Sequence, residues 1–587
     1  MRSRLARYLP CLQWGATYDR HAASRDSLAA VIVTLMLIPQ SLAYAMLAGL
    51  PAINGLYASI LPLVAYTLFG TSRTLSVGPV AVISLMTAAA LGPLFVAGSA
   101  EYAGAALVLA LLSGVLLLAM ALLRLGFMAN FLSHPVISGF ISASAILIAL
   151  SQLRHILGIE AQGDNAVMLL LRLQQELPQT HLPTLAIGTA SLLFIYLTRC
   201  HLGRWLGAPP RLADSIGKIG PIIALLGSIL LVSALELGAA GVKVVGIVPQ
   251  GLPTISLPEL DLALLRQLLP AALLISLVGF VESVSVGQTL ASRHRERIDP
   301  NQELVALGNA NIAAALSGGM PVTGGFSRSV VNYDAGAKTP MAGALAAVGI
   351  AITALYFTPL LHDLPHAVLA AIIIVAVLSL VDIGALGRTW RYSRQDGAAM
   401  AVSMLGVLLI GVEAGILLGA GLSLLLFLWR TSQPHIAVVG QVPGSEHFRN
   451  VERYAVAESS KVLSVRVDES LYFPNARFLE DRIAKLVGQH PAAEHLVLMC
   501  PGINLIDASA LESLETISER LRTAGIQLHL SEVKGPVMDK LRRSDFLRDF
   551  GGQVFLSQFD ALKALDPETT RKALAGAHPS SPAHGEG

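Results

Sequence analysis

Charge is scarce in this chain. Only 14% of its 587 residues are Asp, Glu, Lys or Arg, against about 25% in ordinary soluble domains. Ser27 to Ser72 carries no charged residue, and neither does Leu125 to Leu153, Thr339 to His362 or Gly397 to Val412. That absence excludes a soluble globular protein. Cysteine is nearly absent too. Cys11, Cys200 and Cys500 are the only three. They are too far apart to read as a disulfide framework or a thiolate metal site. No metal triad with the spacing of carbonic anhydrase-like chemistry is present, which argues against an enzyme. A cleavable signal peptide is missing as well. Arginines at positions 2, 4, 7, 20 and 25 precede the first apolar run, and no small-residue cleavage site follows it. The net charge of +2 is uninformative by itself.

What remains is apolar. Hydrophobic residues make up 54% of the chain and mean hydropathy is +0.63. Runs of roughly 18 or more apolar residues are long enough to cross a bilayer. The expected spans are 27–48, 53–70, 74–94, 104–123, 131–153, 182–198 and 219–235. A second set follows at 268–290, 302–318, 322–335, 340–358, 364–381, 396–412 and 414–430. Glu413 interrupts an apolar run too long for one helix and is read as marking a turn. With a cytoplasmic N-terminus, Arg73, Arg124, Arg199, Arg204, Arg293, Arg295, Lys338, Arg388 and Arg430 fall inside. Arg172, Lys243 and Arg266 are among the few outside. This is the positive-inside pattern. It assigns both termini to the cytoplasm of a plasma (inner) membrane protein.

Seven spans per half is an odd number, so the second half enters the membrane from the opposite side. That predicts inverted repeats. The third span of each half is interrupted at its start, by Gly78–Pro79 in one and Gly324–Gly325 in the other. Paired interruptions point to a substrate site.

In the second of these, PVTGGFSRSVVN (Pro321 to Asn332) places Arg328 in the first turn of a helix that starts inside the membrane. A helix start offers unpaired N–H groups and the positive end of a dipole. Such a start favours anions, and an intramembrane arginine is a functional candidate by default. Glu282 is the lone acid between Gln267 and Ser292. It reads either as an ion-pair partner or as a proton carrier, and the two readings are compatible.

Composition changes near Gln433. Beyond it, Val462 to Val467, His495 to Cys500 and Ile526 to Ser531 read as strands. Ala476 to Val487 and Ser509 to Thr523 read as amphipathic helices. The expected segments are a cytoplasmic 1–26, a transmembrane 27–432, an α/β domain over 433–567 and a disordered tail over 568–587.

The runs Leu37 to Pro62, Gly70 to Met86 and Glu282 to Thr339 closely resemble the SulP (SLC26) anion-transporter family, in its sulfate-permease branch. The region after Gln433 resembles a STAS domain. The resemblance implies an α-helical fold of 7+7 inverted repeats, divided into core and gate domains. It implies a homodimer whose core moves against the gate in an elevator-like way. It also implies substrate contacts at Gln40, Tyr44, Val80, Gly325, Phe326, Ser327 and Arg328, with Glu282 as the matching acid. Asp507 and Ser509 match the phosphoacceptor segment of STAS regulators, although Ala510 replaces the usual glycine. An N-cap acid beside a helix-start serine explains the same residues.

The function expected is proton-coupled uptake of sulfate, with no resident cofactor and no nucleic-acid partner. Bicarbonate or a C4-dicarboxylate as substrate, sodium as coupling ion, and an uncoupled exchanger or channel are the alternatives. The bilayer, and a cytoplasmic protein on the STAS domain, are the other expected partners.

Overall fold

The computed structural model describes residues 9–130, 133–161, 163, 165–198, 210–294 and 296–576. Cys200, Arg199, Arg204, Arg295 and the tail from 577 lie outside the described residues. The chain divides into two units, 1–423 and 424–587.

The first unit is helical. Its main helices are α1 (Arg20–Leu47), α2 (Ala52–Tyr57), α3 (Leu61–Phe69), α4 (Ala81–Leu91), α5 (Ala100–Leu122), α6 (His134–Leu157) and α7 (Leu182–Leu197). There follow α8 (Pro210–Ala234), α9 (Leu262–His294), α10 (Pro300–Leu316), α11 (Phe326–Asp334), α12 (Met341–Ile352), α13 (His366–Leu378), α14 (Arg394–Leu409) and α15 (Val412–Ser432). Every expected span contains one of these helices. Eight helical stretches among the described residues are long and apolar enough to cross a membrane. Ala81–Leu91 is too short to do so alone, as an interrupted span should be.

Two groups of helices emerge from the packing. In one, α5 lies against α9 and α10, α3 against α10 and α12, and α1 against α2 and α12. In the other, α6 packs on α13 and α14, and α7 on α8 and α13; α1 ties the two together, packing on α8 and α13 as well. Small residues set the close approaches within the second group. A Cβ on Gly419 would meet Ser403, and one on Gly415 would overlap Val407. Gly411 plays a different part. Its φ of +145° belongs to the turn between α14 and α15, where glycine alone is unstrained. The turn therefore falls at Ile410–Gly411, and Glu413 lies inside the first turn of α15.

The second unit is an α/β domain. Its six strands run in the order β4-β3-β5-β6-β7-β8. They are β3 (Ile436–Gln441), β4 (Phe448–Asn450), β5 (Val462–Val467), β6 (His495–Met499), β7 (Gln527–Ser531) and β8 (Val554–Phe555). β5 to β8 are parallel, while β3 pairs antiparallel with β4 and β5. Parallel neighbours need crossovers; α16 (Ala476–Gln489) links β5 to β6 and α17 (Ala508–Thr523) links β6 to β7. Two further helices, α18 (Gln558–Leu565) and α19 (Pro567–Ala575), end the described chain. Residues 567–575 are thus helical where a disordered tail is expected from 568. Asp566 caps that helix by accepting from Thr569 N, and Ser459 donates to the same carboxylate at 2.6 Å.

Candidate functional site

Glycine and proline stop two helices from forming through the middle of the first unit. In their place are two short strands, β1 (Val77–Gly78) and β2 (Thr323–Gly324). They pair antiparallel, Val77 opposite Gly324 and Gly78 opposite Thr323. Each leads into a helix start: α4 after Val80, α11 after Gly325. The two interruptions found in the sequence are therefore hydrogen-bonded to each other.

Side chains hold this pair in place. Ser76 N donates to Ser329 Oγ at 3.0 Å, and Ser329 Oγ donates to Gly325 O at 2.7 Å. Asn332 Nδ2 reaches Thr74 O at 3.0 Å. From α9, the Ser283 hydroxyl accepts from Gly324 N at 2.8 Å and lies 2.7 Å from Thr323 Oγ1. Thr323 Oγ1 donates to Gly279 O at 2.6 Å. Asn311 accepts from Val322 N and donates to Val322 O, both at 2.9 Å. Ser283, Asn311, Ser329 and Asn332 all lie within the run Glu282 to Thr339, but sequence reasoning did not single them out. Ser283 and Ser329 are each next in sequence to a flagged residue, a signal that could have found them.

Arg328 is buried at 3% exposure. Its guanidinium curls back over the glycines. A Cβ on Gly78 would lie 2.5 Å from Nη1, and one on Gly325 would lie 3.0 Å from Nε and Nη2. The glycines leave the space that the arginine fills. Nη2 makes a long 3.5 Å contact to Thr323 O, and Nη1 has no hydrogen-bond partner among the described residues. A buried donor without a partner is costly. This one sits where two helix starts and two glycine backbones converge.

The other expected residues surround it. α1 packs against both α4 and α11. Gln40 and Tyr44 are one turn apart on α1, 6% and 8% exposed. Pro39 removes a helical donor just before Gln40. Val80 lies beside Gly325, its Cγ2 3.3 Å from where a Cβ would stand. Ser327 is half-buried and Phe326 is 44% exposed, so Phe326 is the least enclosed member. α9 packs against α4, β2 and α11. Glu282, half-buried on α9, acts on Arg328 at Coulombic range. No salt bridge within 4.0 Å joins Glu282 to Arg328 among the described residues.

Asp507 and Ser509 belong to the second unit. Asp507 is the N-cap of α17 and accepts from Ala510 N at 2.9 Å and from Phe473 N at 2.8 Å. Ser509 is exposed in the first turn. Both carboxylate oxygens thus hold backbone, as a cap does.

The sulfate permease family model matches residues 24–403, and the STAS domain model matches 453–561. The chain belongs to the sulfate permease family. It is 36% identical to a probable sulfate transporter 4.2 of Arabidopsis thaliana, over 93% of this chain and 81% of that one. A probable sulfate transporter of Mycobacterium tuberculosis is 34% identical over 93% and 96% of the two chains. The fold matches the solved structure of SLC26A9 with a TM-score of 0.90, at 23% identity, over 96% of this chain and 94% of that one. It also matches the transmembrane domain of the cyanobacterial bicarbonate transporter BicA with a TM-score of 0.59, at 22% identity, over 68% and 98%. This sulfate permease homologue is therefore a multi-pass membrane anion transporter with a STAS domain, and not an enzyme.

Proposed function

We propose that the chain is a secondary active transporter that takes up sulfate together with protons. The observation that carries this reading is the buried Arg328 guanidinium, with Nη1 unpartnered between two interrupted helix starts. A planar guanidinium can donate two parallel hydrogen bonds to an oxyanion. Backbone N–H groups at the starts of α4 and α11 would add donors, and their dipoles favour negative charge. Gln40, Tyr44 and Ser327 would supply the polar wall. Val80 and Phe326 would exclude water, which strengthens each polar contact.

Glu282 is the coupling group in this reading. A dianion on Arg328 would repel an ionised Glu282. Protonating Glu282 then favours the anion, and the anion favours protonation by the same factor. Coulombic proximity without an ion pair suits that exchange. Sodium is less suited. Sodium needs several oxygen ligands, and Phe326 at the start of α11 offers no side-chain oxygen. The reading includes an elevator-like movement of the core against the gate, a homodimer, and both termini in the cytoplasm.

The test is uptake of labelled sulfate by proteoliposomes, with and without an inward proton gradient. Bicarbonate and fumarate serve as competitors in the same preparation. Stimulation by the proton gradient without sodium is expected. Uptake that follows a sodium gradient, or that prefers bicarbonate or fumarate, would overturn the reading.

A further inference from the structure

A polar cavity of about 300 Å³ opens at the ends of α6, α7 and α13 and the segment after α8. That is several times the ~30 Å³ share of one water in the liquid. None of its lining residues belongs to the site around Arg328. Its polar lining is Arg154, His155, Glu160, Thr184, Lys243 and His366.

These groups converge from four separate segments. Arg154 and His155 end α6, and His366 begins α13. The His155 and His366 rings stand edge to face at 5.9 Å. Backbone ties fix the frame: His366 N donates to Lys243 O at 3.0 Å, Val244 bridges to Pro365, and His181 N donates to Leu157 O.

The charge is one-sided. Glu160 is the sole carboxylate lining the cavity, and Lys243 Nζ holds it at 2.8 Å. Both side chains of that pair are exposed, at 57% and 83%, so it is weak and opens readily. The Lys243 ammonium also holds the Glu160 carboxyl below its usual range, so Glu160 stays charged. Arg154 is left to a neutral partner, donating from Nε to His155 Nε2 at 3.2 Å. It makes no ion pair within 4.0 Å among the described residues. One reading is that Arg154 merely offsets the negative end of the α6 dipole. That role needs no cavity, and it does not explain Lys243 and His366 arriving from two other segments. The starts of α7 and α13 both add positive helix ends.

We propose that this cavity is a second anion site, which takes a small oxyanion of the sulfate class. Arg154 grips the anion with its free Nη groups, and Lys243 swings to it from Glu160. With the orientation proposed above, the site opens on the outer face of the membrane, on the helices packed around α6.

The test is equilibrium binding of labelled inorganic sulfate to the purified full chain carrying Arg328→Ala. Residual binding of one sulfate is expected. Adding Arg154→Gln or Lys243→Gln should weaken that binding about tenfold, as loss of a charge-assisted hydrogen bond does. Adding Glu160→Gln should tighten it about threefold, because it frees Lys243 without touching a buried group. Absence of residual binding, or residual binding indifferent to all three changes, overturns the cavity site. Two sulfates bound to Arg328→Ala would instead overturn the Arg328 site and leave the cavity standing.

Discussion

Two glutamates on successive helices of the membrane unit have opposite surroundings. Glu303, in the first turn of α10, is 1% exposed and held on both oxygens. It accepts from Tyr66 Oη at 2.8 Å, Thr71 N at 2.8 Å, Ser72 N at 3.2 Å and the Thr71 hydroxyl. Glu282, in the middle of α9, has no hydrogen bond or salt bridge among the described residues, and acts on Arg328 through space. A carboxylate held by four donors is part of the scaffold. It fixes the loop that leads into β1, and so one wall of the site. A carboxylate left half-buried and unengaged keeps the freedom to exchange a proton. Burial alone does not mark function; the distribution of partners does.

The largest effect that separates the two should come from alanine. Glu303→Ala strands four donors, each costing ~1–3 kcal/mol if left buried and unpaired. The sum rivals the ~5–15 kcal/mol stability of a whole domain. Little folded protein should survive detergent extraction, read as the monodisperse peak in size-exclusion chromatography. Glu282→Ala should give a peak of wild-type height and lose only the proton-driven part of uptake. Equal losses of folded protein from both variants would break the comparison.

Arg328 extends the contrast to a cation. Its truncation should lower sulfate affinity by about 100-fold or more, the usual cost of removing a buried charge-assisted partner. Folding yield should hardly change, because Nη1 has no partner to lose. Arg328→Lys should restore only part of the affinity, since an ammonium cannot donate two parallel bonds. Calorimetry with sulfate reads both. Normal binding by Arg328→Ala would remove the site from α11.

Much of this site is legible in the sequence. Two interrupted spans, an arginine just after a double glycine, and a lone acid in an apolar run all announce themselves locally. The STAS strands β5, β6 and β7 do so by their apolar runs. Glu303 does not. Its partners lie 231 to 237 residues away, and an acid at a helix start already has an ordinary local explanation. The β1–β2 pairing is also hidden, because two-residue strands are too short to show alternation. The turn at Gly411 is masked by Glu413, because charge is a louder signal than a positive φ. What is missed is long-range and polar; what is found is local and patterned.

Gly78 offers a gentler probe of the Arg328 arrangement. In Gly78→Ala the new Cβ would crowd Nη1 at 2.5 Å, and the guanidinium must move. A displaced rotamer costs on the order of 1 kcal/mol, so sulfate affinity should fall about fivefold to tenfold. Gly325→Ala, whose Cβ contacts are 3.0 Å and longer, should cost less. A larger loss from Gly325→Ala than from Gly78→Ala would mean that the arginine sits differently in the working protein.

The smallest effect expected carries the same logic into the STAS domain. His529 on β7 is buried at 2% exposure. Its Nδ1 accepts from Gln553 N at 3.1 Å, which leaves the proton on Nε2, facing His495 Nδ1 at 3.2 Å. Burial first, and His495 second, push His529 down from 6.5 to about 4. The folded state therefore binds its proton later than the unfolded state as pH falls. The associated stability is complete above the unfolded value of 6.5 and is lost as pH falls through about 4. Between pH 7 and pH 6 the loss is only ~0.7 kcal/mol by linkage, or roughly 2–3 °C in the STAS unfolding transition. His529→Asn keeps an acceptor for Gln553 N but cannot titrate, so that slope should flatten. An unchanged slope would show that His529, unlike Glu303, is not held by its partners in a single protonation state.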